Sequence, residues 1–301
     1  MNVNSYDYII VGAGSAGCVV AAQLIQQTSA RVLLIEAGGS DNHLFIKMPA
    51  GVAKIIEKKS WPYQTEPEPH ANNRQMQIAQ GKVLGGSSSV NGMIYLRGQS
   101  QDYDNWEKLY GCKGWSYQDV LPWFKHAENN ESLSNNYHGN NGQLPVSENR
   151  YRHPLSMAFI RAGQEYGLNY SIDFNAENQQ GVGYYQTTTH NGERASTSRS
   201  YLKSVSNSPR LTLKLNTQVN QIIIHDGIAI GVIYQGADGK KVQAIAQQEV
   251  ILCAGAMGSA KLLMLSGIGP KDHLSELDIH PLIDLPVGKN FHDHLHMSIN
   301  V

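Results

Sequence analysis

The chain has 301 residues, of which 41% are hydrophobic, with a formal net charge of −1 and three scattered cysteines. This composition predicts a globular protein with a sizeable core, either two domains or one α/β domain with an insertion. A near-neutral charge without a basic block argues against nucleic acid as a partner. The polar start and the absence of an apolar run of roughly 18 residues argue against a signal peptide and a transmembrane segment. We therefore expect a cytoplasmic protein.

An apolar run close to the start of the chain is followed by spaced glycines. Tyr8-Ile9-Ile10-Val11 has the pattern of a strand that is buried on both faces of a parallel sheet. Gly12 can take the tight turn out of this strand, and Gly14, which lacks a Cβ, lets a pyrophosphate approach the backbone. Gly17 lets the following helix lie close to the sheet.

The next two elements complete a βαβ unit. Ser15 to Gln27 is typical of a helix, with the small residues Ala16, Ala21 and Ala22 predicted on its packing side. The first free N–H groups and the positive dipole end of this helix would face the phosphates of a ligand.

A second buried strand, Val32 to Ile35, ends at the carboxylate of Glu36. This acid follows the glycines by about 20 residues, which is where a ribose hydroxyl is normally held. Strand, turn, helix, strand and acid occur in this order, so a dinucleotide site is favoured over a plain βαβ unit. The pattern by itself fits both NAD and FAD.

The stretch Gly81 to Ile94 is the second dense signal, because it combines glycines and three serines between apolar flanks. Its backbone can lie flat against a planar or anionic ligand, and its hydroxyls and the Asn91 amide add hydrogen-bond donors. The composition alone would also suit a flexible linker. The apolar residues that follow it, Met93 to Leu96, instead predict a buried, ordered loop.

The remaining elements follow from capping residues and alternation. Ser116 predicts the start of a helix that ends at about Asn129, and Pro154 and Gly167 bracket a helix at 155–166. Strands are predicted at 211–215, 219–225, 228–234 and 242–246, and a short antiparallel meander is expected there, with turns at Asp226-Gly227 and Asp238-Gly239. Glu249 to Gly255 repeats the pattern of a buried strand and a glycine turn.

Several motifs along the chain resemble one known family. They are GKVLGGSSSVNGMIYLRG at 81–98, Gly114-Trp115-Ser116-Tyr117, Tyr137-His138-Gly139, Arg194-x-Ser196-Thr197, Gly255-Ala256-Met257-Gly258-Ser259 and Val287-Gly288-Lys289-Asn290-Phe291-His292-Asp293-His294. Together they resemble the fingerprints of the glucose–methanol–choline (GMC) flavoprotein oxidoreductases, and the resemblance covers essentially the whole chain. One position departs from the family pattern, since Ala260 stands where Pro or Ser is usual.

The resemblance implies an α/β fold with two parts. A Rossmann-like FAD-binding domain, made of a parallel sheet plus an antiparallel meander, is expected from about 1–145 and 205–301. The first part of an inserted α+β substrate-binding domain is expected at about 146–204. The residues expected to contact FAD are Gly12, Gly14, Ser15, Ala16, Gly17, Glu36, Ala37, Val83, Gly86, Ser87, Asn91, Gly92, Met93, Ile94, Val219, Ala254, Gly255 and Asp293.

The family also implies the chemistry, which is hydride transfer from an alcohol to FAD. The choline and aliphatic alcohol dehydrogenase branch is the nearest one. Members with a covalent flavin often carry a His where this chain has Val90, so non-covalent FAD is expected. The expected partners are a small-molecule alcohol and an electron acceptor, either a quinone or oxygen. Oligomeric state is not indicated, and peripheral attachment to the inner membrane is left open.

No histidine in the chain matches the catalytic pair of the family, which is expected beyond Val301. We therefore expect the C-terminal catalytic half to be absent and residues 1–301 alone to be inactive. The alternating His292, His294 and His296 do not predict a metal site, because such spacing does not converge on one ion. His138 and His153 are predicted as surface or turn residues. A non-catalytic flavin-binding fragment or module is the alternative function.

Overall fold

The computed structural model describes residues 4–236 and 239–293. The strands are β1 Asn4–Val11, β2 Val32–Ile35, β3 Ser60–Gln64, β4 Gln77–Gly81, β5 Glu128–Asn130, β6 Leu144–Val146, β7 Thr189–His190, β8 Glu193–Arg194, β9 Leu211–Lys214, β10 Val219–His225, β11 Ile228–Gln235, β12 Lys241–Leu252, β13 Ile268–Gly269 and β14 Ile283–Asp284. The helices are α1 Ser15–Gln27, α2 Leu44–Lys47, α3 Val52–Ile55, α4 Ser100–Tyr110, α5 Tyr117–Ala127, α6 Pro154–Glu165, α7 Thr197–Ser200, α8 Gly255–Leu265 and α9 Lys271–Glu276.

The chain divides into two compact units. The first combines Met1–Gly39 with Asn207–Val301, and the second is Ser40–Ser206. The predicted domains are defined by the ligand that each one binds, whereas these two units are defined by packing within the chain. The FAD-binding domain that extends to about residue 145 therefore stays a prediction. Across the described ranges, no helix has both the length and the apolar character needed to span a bilayer.

The first unit is built on one six-stranded sheet with the order β10-β11-β12-β1-β2-β9. β12, β1, β2 and β9 are parallel, whereas β10, β11 and β12 form an antiparallel meander. The long strand β12 joins the two parts, because its first residues pair with β11 and its later residues pair with β1. The predicted parallel sheet with a meander is therefore confirmed.

Two details of the sheet differ from expectation. The segments 242–246 and 249–252, predicted as separate strands, form the single strand β12. β9 lies beside β2 in the parallel part of the sheet, although it precedes the meander in the chain. Asp238, predicted to turn with Gly239, lies outside the described residues, as do His294 and His296.

The hydrophobic core of this unit is formed by side chains of the sheet strands and of α8. Ile9 and Val11 of β1 and Leu33 and Ile35 of β2 pack with residues of β10, β11, β12 and α8. α1 packs against β1 and β2, and Ala21 and Ala22 are fully buried as predicted. Ala16 is exposed, so its predicted place on the packing side is wrong. The reason is helical periodicity, because the buried face of α1 consists of Gly17, Cys18, Ala21, Ala22 and Ile25, and Ala16 lies on the opposite side of the helix.

The second unit contains the remaining helices and short two-stranded sheets. β3 and β4 form an antiparallel hairpin in a segment that the sequence indicated only as irregular. Ser116 caps α5 through a capping box with Asp119, as the N-cap prediction requires. His153 caps α6, and Gly167 follows with φ +104°. These helix boundaries agree with the predicted ones.

A buried ionic network ties the second unit together. Arg97 Nη2 lies 2.7 Å from Glu128 Oε2, and His138 Nδ1 lies 2.8 Å from Glu128 Oε1. His138 Nε2 lies 2.9 Å from Asp173 Oδ2. His138 is only 1% exposed. The predicted surface location is therefore wrong, because the turn places its ring between two carboxylates.

Burial by itself would lower the pKa of His138. The hydrogen bonds and charges of Asp173 and Glu128 outweigh this effect and raise the pKa from 6.5 to about 9. Burial is the largest single influence on each carboxyl and by itself would raise its pKa. The hydrogen bond to His138, a further hydrogen bond and the charges of His138 and Arg97 together outweigh burial, so the pKa of each carboxyl is lowered. His138 is consequently an imidazolium at neutral pH.

We predict that this interaction stabilises the fold below pH 6.5 and that the stabilisation is lost as the pH rises to about 9. The sign follows from a folded-state pKa above the unfolded one. In chemical unfolding between pH 6 and 10, the stability difference between the unmodified protein and His138→Gln should shrink by about 3 kcal/mol over this range. The same substitution at the exposed His70 is the control. A pH-independent difference for His138→Gln would contradict the prediction.

Candidate functional site

The turn between β1 and α1 requires glycine at two positions. Gly12 has φ +99°, and a Cβ there would lie 2.4 Å from the Cys253 carbonyl oxygen. A Cβ on Gly17 would lie 1.9 Å from the Gly12 carbonyl oxygen. Neither distance is sterically allowed, so the backbone at both positions approaches its neighbours as closely as it can. This close approach lets α1 begin directly at the carboxyl end of β1.

The N-terminus of α1 is open to an anionic ligand. Gly14 is the N-cap residue and has no side chain with which to cap the helix. The N–H of Cys18 donates to the Gly14 carbonyl (3.0 Å), so the N–H groups of the three preceding residues lie ahead of the i→i−4 ladder. Ser15 and Ala16 are exposed. The helix dipole and these N–H groups suit a phosphate.

Glu36 closes the same site from the end of β2. Its carboxylate is 6% exposed and accepts hydrogen bonds from the backbone N–H of Ala13 (2.9 Å) and of Gly38 (2.8 Å). The acid therefore lies against the glycine turn, as the predicted spacing requires. A carboxylate oxygen can accept more than one hydrogen bond, so Glu36 is chemically suited to a hydroxyl of a ligand.

Some of the other predicted contact residues of this unit lie at the β1–α1 turn, and others do not. Cys253 N–H donates to the Val11 carbonyl (2.8 Å), which brings Ala254 and Gly255 to the strand end beside Gly12. Ala37 follows Glu36 and is half-buried, and Val219 at the start of β10 packs at the edge of the core. Asp293 is exposed. Contact of these residues with FAD stays a prediction.

The second unit holds the Gly81–Ile94 loop. Gly85 and Gly86 both have positive φ, and a Cβ on Gly85 would lie 2.3 Å from Ser89 Oγ. Residues Gly86–Ser89 form a 3₁₀ turn, in which Ser89 Oγ donates to the Leu84 carbonyl (2.7 Å). The serines therefore stabilise the loop itself, and the predicted ordered loop is what the structure contains.

Burial within this loop is divided. Val83 and Val90 are buried and pack with Ile46 and Ile55. Met93 is also buried, with φ +62°. The predicted contact residues Ser87, Asn91, Gly92 and Ile94 are exposed, so the expectation of a fully buried loop is wrong. Gly86 is buried, whereas the exposed residues present hydroxyl, amide and apolar groups at the surface, and their contact with a ligand stays a prediction.

Arg194 belongs to one of the sequence motifs but is not among the predicted site residues. Nothing in the local sequence indicates that its charge is buried. Its side chain is 1% exposed and donates to the Ile46 carbonyl, the Ser88 carbonyl and the Asn91 side chain. Burial lowers its pKa to about 10, so it remains cationic at neutral pH.

The described residues contain no group of three His, Cys, Asp or Glu side chains that could bind a metal ion. His292 is exposed and the other two histidines of that motif lie outside the described ranges. Among the described residues, the α1 N-terminus with Glu36 and the exposed part of the 81–94 loop are features that suit a ligand.

The comparisons with known proteins agree on one family. A family model described as GMC oxidoreductase matches residues 6–296. Oxygen-dependent choline dehydrogenase from Pseudomonas savastanoi pv. phaseolicola is 44% identical over 98% of this chain and 54% of its own length. Oxygen-dependent choline dehydrogenase 1 from Chromohalobacter salexigens shows the same identity and coverage. The chain spans about half the length of the curated relatives it matches.

Solved structures show the same architecture. The crystal structure of pyridoxine 4-oxidase from Mesorbium loti superposes with a TM-score of 0.89 at 33% identity, over 93% of this chain and 55% of that one. An FAD-dependent oxidoreductase from Chaetomium thermophilum gives a TM-score of 0.87 at 32% identity, over 93% of this chain and 51% of that one.

Proposed function

This chain belongs to the GMC oxidoreductase family, and we propose that it binds FAD as the cofactor-binding part of an oxidoreductase acting on CH–OH donors. The observation that carries the proposal is the β1–α1 turn, in which Gly12 and Gly17 allow close backbone approach and Glu36 holds the turn by hydrogen bonds. These residues fit a dinucleotide, because they combine an anion-binding helix end with a carboxylate for a ribose.

The roles of the residues follow from this geometry. FAD, when bound, supplies the acceptor for a hydride taken from the alcohol carbon. The α1 N-terminus would hold the pyrophosphate, and Glu36 would accept hydrogen bonds from the adenosine ribose. The exposed Ser87, Asn91 and Gly92 would contact the cofactor from the second loop. We assign no catalytic base among the described histidines.

We propose an alcohol as the substrate, and a choline-like or aliphatic one in particular. The 44% identity to proteins named oxygen-dependent choline dehydrogenase supports the choline-like class. An electron acceptor, oxygen or a quinone, would reoxidise the flavin. The intracellular location, with or without attachment to the inner membrane, stays a prediction that cell fractionation tests.

A non-catalytic flavin-binding module is the second candidate function. It is supported by coverage of about half of each relative, together with the absence of a residue here that matches the catalytic histidine pair. The two candidates share the cofactor and differ in whether an alcohol reduces it.

We predict that alcohols reduce the bound flavin of the intact enzyme, which carries the catalytic half, whereas residues 1–301 alone should not be reduced by them. The purified intact protein is mixed anaerobically with a panel that includes choline and short aliphatic alcohols, and absorbance of the oxidised flavin is followed. Bleaching by at least one alcohol is expected under the enzyme proposal. Dithionite is the control, because it reduces any accessible flavin. Bleaching by dithionite and by none of the alcohols would favour the module.

Glu36→Ala is predicted to weaken FAD binding by roughly 1.5–3 kcal/mol, the scale of a hydrogen bond to a charged group. The change removes the acceptor proposed for the ribose. FAD affinity is measured by titration of the apoprotein, with the exposed Glu165→Ala as a matched control.

The same substitution also removes the hydrogen bonds to Ala13 and Gly38, so the apoprotein should be less stable. Thermal unfolding without FAD separates this effect from the lost ligand contact. Unchanged FAD affinity for Glu36→Ala would remove Glu36 from the proposed site.

We further propose that FAD is held without a covalent bond. Val90 is 2% exposed and packs with Val83, and its side chain offers no nucleophile to the flavin. After acid precipitation, yellow colour should therefore remain in the supernatant. Flavin that travels with the pellet as a flavinylated peptide would show that this proposal is wrong.

A further inference from the structure

Arg194 is a buried cation without a counter-ion among the described residues. Its Nε donates to the Ile46 carbonyl at 3.0 Å, and its Nη1 donates to the Ser88 carbonyl at 3.1 Å. Within the described ranges, Nη2 is buried without a hydrogen-bond partner. Burying an unpaired charge is unfavourable. Hydrogen bonds to two carbonyl groups could also be made by a neutral donor, so they do not by themselves explain a buried guanidinium at this position.

The third contact of Arg194 orients a neighbouring side chain. Nη1 donates to Asn91 Oδ1 at 2.8 Å, and the backbone N–H of Met93 donates to the same oxygen at 3.1 Å. Both partners are donors only, so the amide oxygen must face them. The amide nitrogen of Asn91 is therefore turned the other way.

The amide nitrogen of Asn91, Nδ2, is available to donate hydrogen bonds to a ligand. Asn91 is exposed, and among the residues that the structure describes no acceptor lies within hydrogen-bond distance of Nδ2. An exposed side chain would normally sample several rotamers, whereas two donors on one oxygen restrict this amide to one orientation. The arrangement presents a fixed N–H donor from the loop that we expect to contact the cofactor.

We propose that Arg194 is a positioning residue, which fixes the Asn91 amide so that its Nδ2 donates a hydrogen bond to an acceptor atom of bound FAD. The proposal rests on the proposed function, because the ligand is the cofactor assigned there. The two carbonyl contacts hold the Arg194 side chain in place. Its hydrogen bond to Asn91 Oδ1 then fixes the orientation of the amide whose Nδ2 would donate to FAD.

Asn91→Asp is the sharpest test. A carboxylate accepts hydrogen bonds from Arg194 and from Met93 N–H as the amide does, and it also neutralises the buried cation. Apoprotein stability should thus be kept or increased. The outward atom becomes an acceptor, so FAD affinity should fall by at least about tenfold. The matched control is Asn191→Asp, at an exposed turn of the same unit, which should change neither quantity.

A double-mutant cycle separates positioning from a merely structural role. FAD dissociation constants are measured for Arg194→Met, Asn91→Ala and the double variant, with the flavin absorption spectrum recorded for each. If Arg194 acts through Asn91, Arg194→Met weakens binding in the parent protein and adds little in the Asn91→Ala background. Both variants should shift the spectrum in the same direction, because both remove the same hydrogen bond.

The outcomes are distinguishable. Tight FAD binding by the parent with equal binding by Asn91→Asp would overturn the positioning inference and leave the proposed function standing. Additive effects in the cycle would also overturn it, since Arg194 would then act only on the fold. A parent protein that binds no FAD would remove the proposed function and this inference together.

Discussion

The structure depends on a steric constraint at the carboxyl end of β1. The backbone of Gly17 lies so close to the Gly12 carbonyl, and that of Gly12 so close to Cys253, that no side chain fits at either position. This contact brings the first turn of α1, the end of β1 and the segment after β12 to one point. The α1 N-terminus and Glu36 can then face the same ligand, which is the arrangement a dinucleotide requires.

The second unit shows two different treatments of buried charge. Arg97, Glu128, His138 and Asp173 form a set in which two cations are matched by two carboxylates. Close hydrogen-bonding partners compensate the unfavourable burial of each ion. Arg194 has carbonyl and amide oxygens as partners instead. The balanced set stabilises the fold, whereas the unbalanced charge lies beside the loop for which we propose a ligand.

The proposed function depends on the placement of backbone groups more than on reactive side chains. Helix N–H groups, glycine turns and the loop amide would bind and orient the cofactor, and the cofactor would supply the redox chemistry. This division agrees with a chain that spans about half the length of its curated relatives. Two of the described histidines have structural roles, His138 in the ionic network and His153 as an N-cap.

Elements whose signals are local could be predicted from neighbouring residues alone. Apolar runs and spaced glycines identified α1 and β2 with their observed bounds and β1 with its end at Val11, because each depends on neighbouring residues and on the absence of a Cβ. β1 begins at Asn4, earlier than the predicted Tyr8. The N-cap at Ser116 was predictable for the same reason. The meander followed from alternation and turn residues.

Features that depend on distant partners are visible only in the folded protein. β9 pairs with β2 although the whole second unit, Ser40–Ser206, lies between them in the sequence. The hydrophobic periodicity of a strand does not indicate which strand it pairs with. His138 became a buried imidazolium because Glu128 and Asp173 converge on it, and a turn motif alone could not predict this. Arg194 is buried because Ile46 and Ser88 supply carbonyl partners from remote segments. Charge burial is a property of the assembled fold, since its free energy is set by whatever groups surround the ion.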